Sequence, residues 1–116
     1  MSDVRDVGPY GADADAFRAE TANVDGRAIV TVRGELDLVT ARDLEAALDR
    51  VTAGARNTIV VDLSHVSFAD STGLSVLVKG QQAAHREGLV FVVRSPQPRV
   101  RRVLELSGLD AVLHIV

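Results

Sequence analysis

The residues with the clearest capacity for chemistry lie in the segment Asp70-Ser71-Thr72-Gly73-Leu74, which follows a run of apolar residues. Asp70 and Ser71 are both residue types that cap helices, so the segment predicts a helix start. A hydroxyl at that point lies beside unpaired backbone N–H groups and the positive end of the helix dipole, which tolerate added negative charge. Ser71 is therefore a candidate phosphate acceptor. The alternative is an ordinary helix cap with no further role.

Two neighbouring residues indicate how this segment is held. Gly73 stands in the predicted first turn, where glycine costs up to ~1 kcal/mol of helix propensity relative to alanine. That cost is understandable if another backbone or a partner comes close there. Phe68 is one of only three phenylalanines, and we expect it to anchor a strand-to-helix loop to the core.

A second polar cluster, Gly34-Glu35-Leu36-Asp37, joins a predicted strand that ends at Gly34 to a helix that opens at Thr40. If the strands are parallel, this loop and the Asp70 loop lie at the same edge of the sheet. Asp37 is then either a turn residue or an acidic recognition residue beside Ser71. Asp43 lies three residues after Thr40, which nearly matches the spacing of a capping box.

The pattern of apolar residues around these clusters predicts one α/β domain with a mixed central sheet. Asp25-Gly26 between two strand-like runs indicates an N-terminal β-hairpin. Alternating helices and strands follow, which demands right-handed crossovers and a largely parallel inner sheet. The third helix is expected to start at Ser95-Pro96, with the serine as cap and the proline at the first helical position. The strands predicted after the hairpin cover residues 58–63, 89–93 and 112–116.

Length and composition limit the classes of protein that remain. The 116 residues are 47% hydrophobic but only 3% aromatic, which predicts one globular domain with an aliphatic core. The composition of residues 1–16 predicts an acidic, flexible tail. Residues 17–116 are predicted to form the folded domain. The absence of cysteine excludes disulfides, zinc–thiolate sites and a thiol nucleophile. No apolar run approaches the ~20 residues of a membrane span and no signal peptide is recognised, so we expect a cytoplasmic protein.

Metal and cofactor sites are not expected. His65, His85 and His114 are far apart in sequence and have no second ligand at helical spacing. Neither a phosphate-binding loop nor a dinucleotide-binding glycine motif is present. The only lysine, Lys79, leaves few choices for an amine catalyst.

A basic segment near the third predicted helix has two interpretations. It is either the solvated face of that helix or a contact for an acidic partner. Nucleic acid is disfavoured, because no aromatic residues interleave with the basic ones and the net charge is −3. The segment consists of Arg94, Arg99, Arg101 and Arg102.

In this order and separation, the two polar clusters resemble the STAS domain of bacterial anti-sigma-factor antagonists. The resemblance covers about residues 17–116 and implies a single STAS-like domain. Its most specific part is the pair formed by the Gly34–Asp37 cluster and the Asp70–Leu74 segment. The matching segments are Gly34-Glu35-Leu36-Asp37, Val60-Val61-Asp62-Leu63-Ser64, Phe68-Ala69-Asp70-Ser71-Thr72-Gly73-Leu74 and Ser107-Gly108-Leu109.

The resemblance also implies a function. Members bind an anti-sigma factor that is also a serine kinase, and the sigma factor is released. The kinase then phosphorylates a serine, binding is lost, and a PP2C-type phosphatase resets the switch. By residue match the phosphoacceptor is Ser71, and Thr72 is a second candidate. The match further implies a partner-binding surface made of Asp37, Asp70, Thr72, Gly73 and Leu74.

Two other classes of function stay open at this point. One is a STAS scaffold without a switch, or an interaction subunit of a larger signalling complex, in which the Ser71 segment serves only as a cap. The other is a receiver-like phosphotransfer domain with Asp70 as acceptor, an interpretation weakened because Lys79 falls inside a helix instead of after a strand. The favoured expectation is a binding protein that is not an enzyme and that contacts neither nucleic acid nor membrane.

Overall fold

A computed structural model describes residues 16–116, and within them one sheet holds four strands in the order β1-β2-β3-β4. The strands β1 and β2 pair antiparallel, whereas β3 pairs in parallel with both β2 and β4. The predicted α/β fold, with an N-terminal hairpin and a mixed sheet, is confirmed. The elements are β1 (Arg18–Val24), β2 (Arg27–Leu36), α1 (Ala41–Gly54), β3 (Thr58–Ala69), α2 (Ser71–Arg86), β4 (Val90–Arg94), α3 (Pro98–Leu106) and a 3₁₀ helix (Leu109–Ala111).

The hairpin forms at the predicted pair. Asp25 has φ 53° and Gly26 has φ 83°, so both central residues lie in the left-handed region. Two such residues in succession are what a type I′ turn requires, and its twist matches that of the strands. The pairing then places Val24 opposite Arg27.

One face of the sheet carries the core. The inward residues of β2, β3 and β4 are almost fully buried beneath the helices, and α1 also packs against α2. The core is aliphatic, as the composition predicts, apart from the buried ring of Phe91. The buried residues include Ala28, Val30, Val32, Ile59, Val61, Leu63, Phe91 and Val93 from the strands, and Leu44, Leu48, Leu74, Leu77, Val100 and Leu104 from the helices.

The strand predicted over residues 112–116 is wrong. The Val112 N–H donates to the carbonyl of Leu109 at 3.1 Å, so the chain is still in a 3₁₀ turn where the strand was expected to begin. Only an isolated parallel bridge between Val93 and Ile115 remains. The final residues therefore add one pairing to the edge of β4 and not a fifth strand.

The start of the third helix is also shifted from its predicted place. The cap is Gln97, which is extended (φ −62°, ψ 155°), and Pro98 occupies the first turn. Ser95, the expected cap, has φ 56° and lies before the helix. Both Ser95-Pro96 and Gln97-Pro98 fit the rule that a residue preceding proline avoids helical geometry, so sequence alone did not choose between them.

The predicted tail over residues 1–16 lies, apart from Ala16, outside the described residues, so its boundary with a domain over 17–116 stays a prediction. None of the helices between residues 16 and 116 combines the length and apolar character needed to cross a bilayer.

Candidate functional site

The two polar clusters meet at one edge of the sheet, as the sequence predicts for parallel strands. The strand β2 does not end at Gly34 but passes through a register shift and continues to Leu36, which pairs with Ala69 of β3. The Asp70 N–H then donates to the Leu36 carbonyl at 3.1 Å. The segment that begins α2 is thereby fixed beside the segment that leads into α1.

Asp70 is the N-cap of α2. Its backbone is extended, and its Oδ1 accepts a 2.7 Å hydrogen bond from the Gly73 N–H. The Leu74 N–H donates to the Asp70 carbonyl at 2.9 Å and starts the helical ladder. The predicted helix start is confirmed, and Ser71 is the first helical residue.

Gly73 is required because the backbone of β2 passes directly against α2. A Cβ at this position would lie 2.6 Å from the Leu36 carbonyl oxygen and 2.9 Å from the Asp37 nitrogen. The close approach predicted from this glycine is therefore made by the chain itself. Gly73 and Leu74 are both buried, so they lie on the core side of the helix that begins at Ser71 and do not reach solvent.

Asp37 organises the turn between β2 and α1. Its Oδ1 accepts hydrogen bonds from the N–H groups of Val39 (3.0 Å) and Thr40 (2.9 Å). In return the Asp37 N–H donates to the Thr40 hydroxyl oxygen at 2.9 Å, and that hydroxyl donates to the Glu35 carbonyl at 2.8 Å. This reciprocal pair is a capping box one turn earlier than predicted.

The capping box predicted between Thr40 and Asp43 is wrong, because Thr40 already belongs to the capping box with Asp37. Thr40 makes no side-chain cap to α1, because its hydroxyl is engaged with Asp37 and Glu35. The Ala41 N–H donates to the Asp37 carbonyl at 2.9 Å, so Asp37 lies one helical turn before Ala41. Of the two interpretations of Asp37, the geometry favours the turn residue.

Hydrogen bonding also sets the charge of Asp37. The N–H of Thr40, with further help from the Thr40 hydroxyl and the Val39 N–H, holds the pKa of Asp37 below its ordinary value of 3.8, although desolvation acts in the opposite direction. Asp37 is therefore an anion at neutral pH. Its Oδ2 accepts no hydrogen bond from any of the residues that the structure describes.

Ser71 and Thr72 are both exposed at the N-terminus of α2. Within residues 16–116 the Ser71 hydroxyl makes no hydrogen bond, whereas the Ser75 hydroxyl donates to the Thr72 carbonyl at 2.7 Å. The Gly73 N–H is occupied by Asp70, so the free donors of this helix end are those closest to Ser71. An added phosphate at Ser71 thus meets solvent, the helix dipole and unpaired N–H groups.

The anchoring role predicted for Phe68 is wrong. The strand β3 continues to Ala69, so the expected loop is extended backbone. Its pairing with β2 skips Ser67, because Gly34 pairs with Val66 and the next residue, Glu35, pairs with Phe68. This bulge breaks the alternation of faces, since Val66 is buried and Phe68, two residues later, is not. Ala69 points into the core, and Phe68 is 43% exposed. Phe68 therefore belongs to the surface of this edge, as do Leu38 and Val39 in the Asp37 turn.

Sequence reasoning missed one ion pair between β3 and β4. Arg94 at the end of β4 donates to Oδ2 of Asp62 at 2.9 Å, and the Ser64 N–H donates to Oδ1 of Asp62 at 2.8 Å. Desolvation raises the pKa of Asp62, but the bonds from Ser64 and Arg94 outweigh it, so the pKa lies below its ordinary value. The sequence alone gave no signal for this pair, since Asp62 and Arg94 meet only through the register of the neighbouring parallel strands β3 and β4.

The remaining candidates for chemistry are dispersed. Arg99, Arg101 and Arg102 are exposed on α3, in agreement with a solvated helix face. Lys79 lies on α2 with its Nζ 3.9 Å from a carboxylate oxygen of Glu45 on α1. In the described part of the chain, no three histidine, aspartate or glutamate side chains converge in a way that would hold a metal ion.

The sequence model of the STAS domain matches residues 18–116, which is most of the chain. The chain therefore belongs to the STAS domain family. This agrees with the fold and with the edge at which the two polar clusters meet.

Named relatives are similar over most of their length. Anti-sigma-F factor antagonist RsfB of Mycobacterium tuberculosis is 34% identical over 96 residues, which cover 83% of this chain and 78% of the relative. An anti-sigma-B factor antagonist of Staphylococcus aureus is 32% identical, covering 83% and 89% of the two chains. The crystal structure of an anti-sigma factor antagonist from Mycobacterium paratuberculosis superimposes with a TM-score of 0.78 at 36% identity, covering 87% of this chain and 86% of that one.

Proposed function

We propose that this protein is an anti-sigma-factor antagonist, a binding protein without enzymatic activity. It binds an anti-sigma factor that has serine kinase activity, and the sigma factor held by that partner is released. The names of relatives that are 32–34% identical over 83% of the chain support the proposal. These relatives are regulators that act by binding.

The switch is phosphorylation of Ser71. The observation that carries this part is the exposed Ser71 hydroxyl, free of hydrogen bonds within residues 16–116 and located at the first residue of α2. Transfer of the γ-phosphoryl group of ATP to the Ser71 oxygen breaks the bond to ADP and releases the hydroxyl proton. A PP2C-type phosphatase hydrolyses the ester and restores the binding form. Thr72 is the alternative acceptor.

The phosphate acts by local charge and bulk. It adds about −1.5 to −2 charges at neutral pH, and the N-terminus of α2 offsets part of this in the free protein. In the complex the same group must be desolvated against a surface shaped for a hydroxyl, which is strongly unfavourable without a new cation. A penalty of ~3 kcal/mol weakens binding more than a hundredfold. Release then needs no large conformational change.

The partner-binding surface is the sheet edge around Ser71. Asp37, Asp70 and Thr72 lie at this edge, and Gly73 and Leu74 support it from the interior. We expect the interaction to take place in the cytoplasm, without participation of nucleic acid or membrane.

Variants of Ser71 test the switch with purified serine-kinase anti-sigma factors from the source cell. Incubation with ATP, followed by intact-mass measurement and peptide mapping, is expected to place one phosphate on Ser71. Ser71→Ala is expected to bind persistently in ATP, and Ser71→Glu to bind weakly while its circular dichroism is unchanged. Ser75→Ala is the matched control, because its hydroxyl is exposed on the same helix but bonded within it.

Three results would contradict the proposal at different points. Modification mainly at Thr72, Ser67 or Ser75 would show that the acceptor is misassigned. An acid-labile phosphate on Asp70 would favour the receiver-like alternative. Undiminished binding of the phosphorylated protein would leave a STAS scaffold without a switch.

A further inference from the structure

Resting on the proposed function, we propose that Leu38 and Val39 are the apolar contacts for the anti-sigma factor, and that Asp37 acts as a positioning residue that holds them in their binding geometry. In this assignment Asp37 does not contribute by charge pairing with the partner. The turn formed by residues 37–40 is called the Asp37 turn below.

The first observation is the exposure of two adjacent large apolar residues. Val39 is 76% exposed and Leu38 is 65% exposed, and Val39 is the most exposed large hydrophobic residue in the described part of the chain. A pair of this kind in one turn is unusual for a surface that faces only water, and clustered exposed apolar groups mark sites of interaction.

The second observation is that the Asp37 turn is continuous with the Ser71 surface. Gly73, two residues after Ser71, packs directly on the backbone of Leu36 and Asp37. A partner that covers the Ser71 hydroxyl therefore lies beside the Asp37 turn as well. This continuity selects the anti-sigma factor as the occupant, in preference to a second copy of this chain.

The third observation is that polar groups fix the turn before any partner binds. Oδ1 of Asp37 accepts the N–H groups of Val39 and Thr40, and the Thr40 hydroxyl oxygen accepts the Asp37 N–H. The two apolar side chains are thus attached to a backbone whose conformation is already set. Binding then loses less conformational entropy than the ordering of a free loop would.

The same arrangement sharpens the effect of phosphorylation. Apolar contacts bind by excluding water, and a dianion placed at their margin keeps its hydration shell. A phosphate on Ser71 therefore opposes the closure of the partner over Leu38 and Val39. This role does not require a charged group on Asp37.

Substitution of the apolar pair tests the docking surface. The affinity of the unphosphorylated double variant L38A/V39A for the anti-sigma factor that phosphorylates Ser71 is measured by calorimetry. We expect a loss of tenfold or more, with an unchanged melting temperature because both side chains are exposed. Leu106→Ala is the matched control, since Leu106 is 74% exposed on α3. Equal affinity of the double variant and the control would overturn the docking surface.

Two substitutions of Asp37 separate positioning from charge pairing. Asp37→Asn removes the charge but retains an oxygen that accepts the Val39 and Thr40 N–H groups, whereas Asp37→Ala removes the acceptor. Positioning predicts near-normal affinity for Asp37→Asn and a loss of tenfold or more for Asp37→Ala. An equal loss in both variants would show that the charge itself contacts the partner.

A measurement without the partner keeps failure of this proposal distinct from failure of the proposed function. Amide hydrogen exchange and NMR order parameters are recorded for Val39 and Thr40 in the free protein. Asp37→Ala is expected to lose protection and order at these amides, and Asp37→Asn to keep them. If Asp37→Ala leaves both unchanged, Asp37 does not position the turn, whether or not Ser71 is phosphorylated.

Discussion

Replacing Gly73 with alanine is expected to destabilise the protein and to separate α2 from the Asp37 turn. The added Cβ would lie 2.6 Å from the Leu36 oxygen and 2.7 Å from its carbonyl carbon, about 0.8 Å closer than the 3.4 Å at which ordinary contact begins. All the opposing atoms belong to backbone. Leu36 cannot move freely, because it pairs with Ala69 and accepts the Asp70 N–H.

The size of the destabilisation in Gly73→Ala follows from two opposing effects. Overpacking at a fixed site costs roughly 1–3 kcal/mol. Alanine recovers up to ~1 kcal/mol of helix propensity relative to glycine. The free energy of unfolding is therefore expected to fall by about 1–2 kcal/mol. At about 4–8 °C per kcal/mol for a domain of this size, Tm falls by roughly 4–16 °C.

Thermal and urea unfolding of Gly73→Ala and Gly54→Ala, followed by circular dichroism, measure this effect. Gly54 is the last residue of α1, and a Cβ there would meet no atom within 4 Å. Gly54→Ala is expected to be neutral or stabilising by up to ~1 kcal/mol. If Gly73→Ala is as stable as Gly54→Ala, the backbone contact between α2 and β2 is not as close as the structure places it.

Further substitutions test other contacts. The pKa of Asp62 lies below its ordinary 3.8, so its stabilising effect is present above that pH and is lost as pH falls through the folded-state pKa. Arg94→Met is expected to lower the free energy of unfolding at neutral pH by about 1 kcal/mol. Urea unfolding at a series of pH values is expected to show a smaller loss of stability on acidification in this variant. An unchanged pH profile would show that the ion pair contributes nothing. Thr40→Val removes the hydrogen bonds of the hydroxyl with Asp37 and Glu35 and is expected to cost about 1 kcal/mol, whereas Thr40→Ser retains them. Equal unfolding midpoints would contradict the reciprocal cap. Phe68→Ala is expected to change the free energy of unfolding by less than ~1 kcal/mol, because Phe68 is exposed. Phe91→Ala is expected to cost about 3–5 kcal/mol, because Phe91 is buried in the core. A large loss of stability in Phe68→Ala would show that Phe68 anchors the core after all.

Features that depend on a few neighbouring residues were determined by the sequence itself. The Asp25-Gly26 pair specifies the hairpin, because the turn needs two left-handed residues in succession. Asp70 specifies the start of α2, since its side chain reaches the N–H of a residue only three positions later. Gly73 likewise indicates a close contact, because glycine in a first helical turn costs helix propensity and the backbone of Leu36 lies against it.

Features that depend on distant segments were decided by tertiary structure. The polar groups of Asp37 and Thr40 fit two capping registers, and the extension of β2 to Leu36 selected one of them. Phe68 is exposed because β3 continues past the predicted loop with a bulge between Val66 and Phe68, so the bulge, and not hydrophobicity, sets its face.

The ends of the sheet likewise separate what neighbouring residues determine from what distant segments determine. The apolar composition of residues 112–116 suits a strand, but the 3₁₀ turn before it leaves room for only one bridge to Val93. The Asp62–Arg94 pair needs the parallel register of β3 and β4 before its charges meet. The sequence by itself determined the class of fold, the start of α2 and the candidate serine, because these rest on local hydrogen bonding and on motif. Only the tertiary structure decided which side chains surround that serine, because that depends on how far two parallel strands run before they end together.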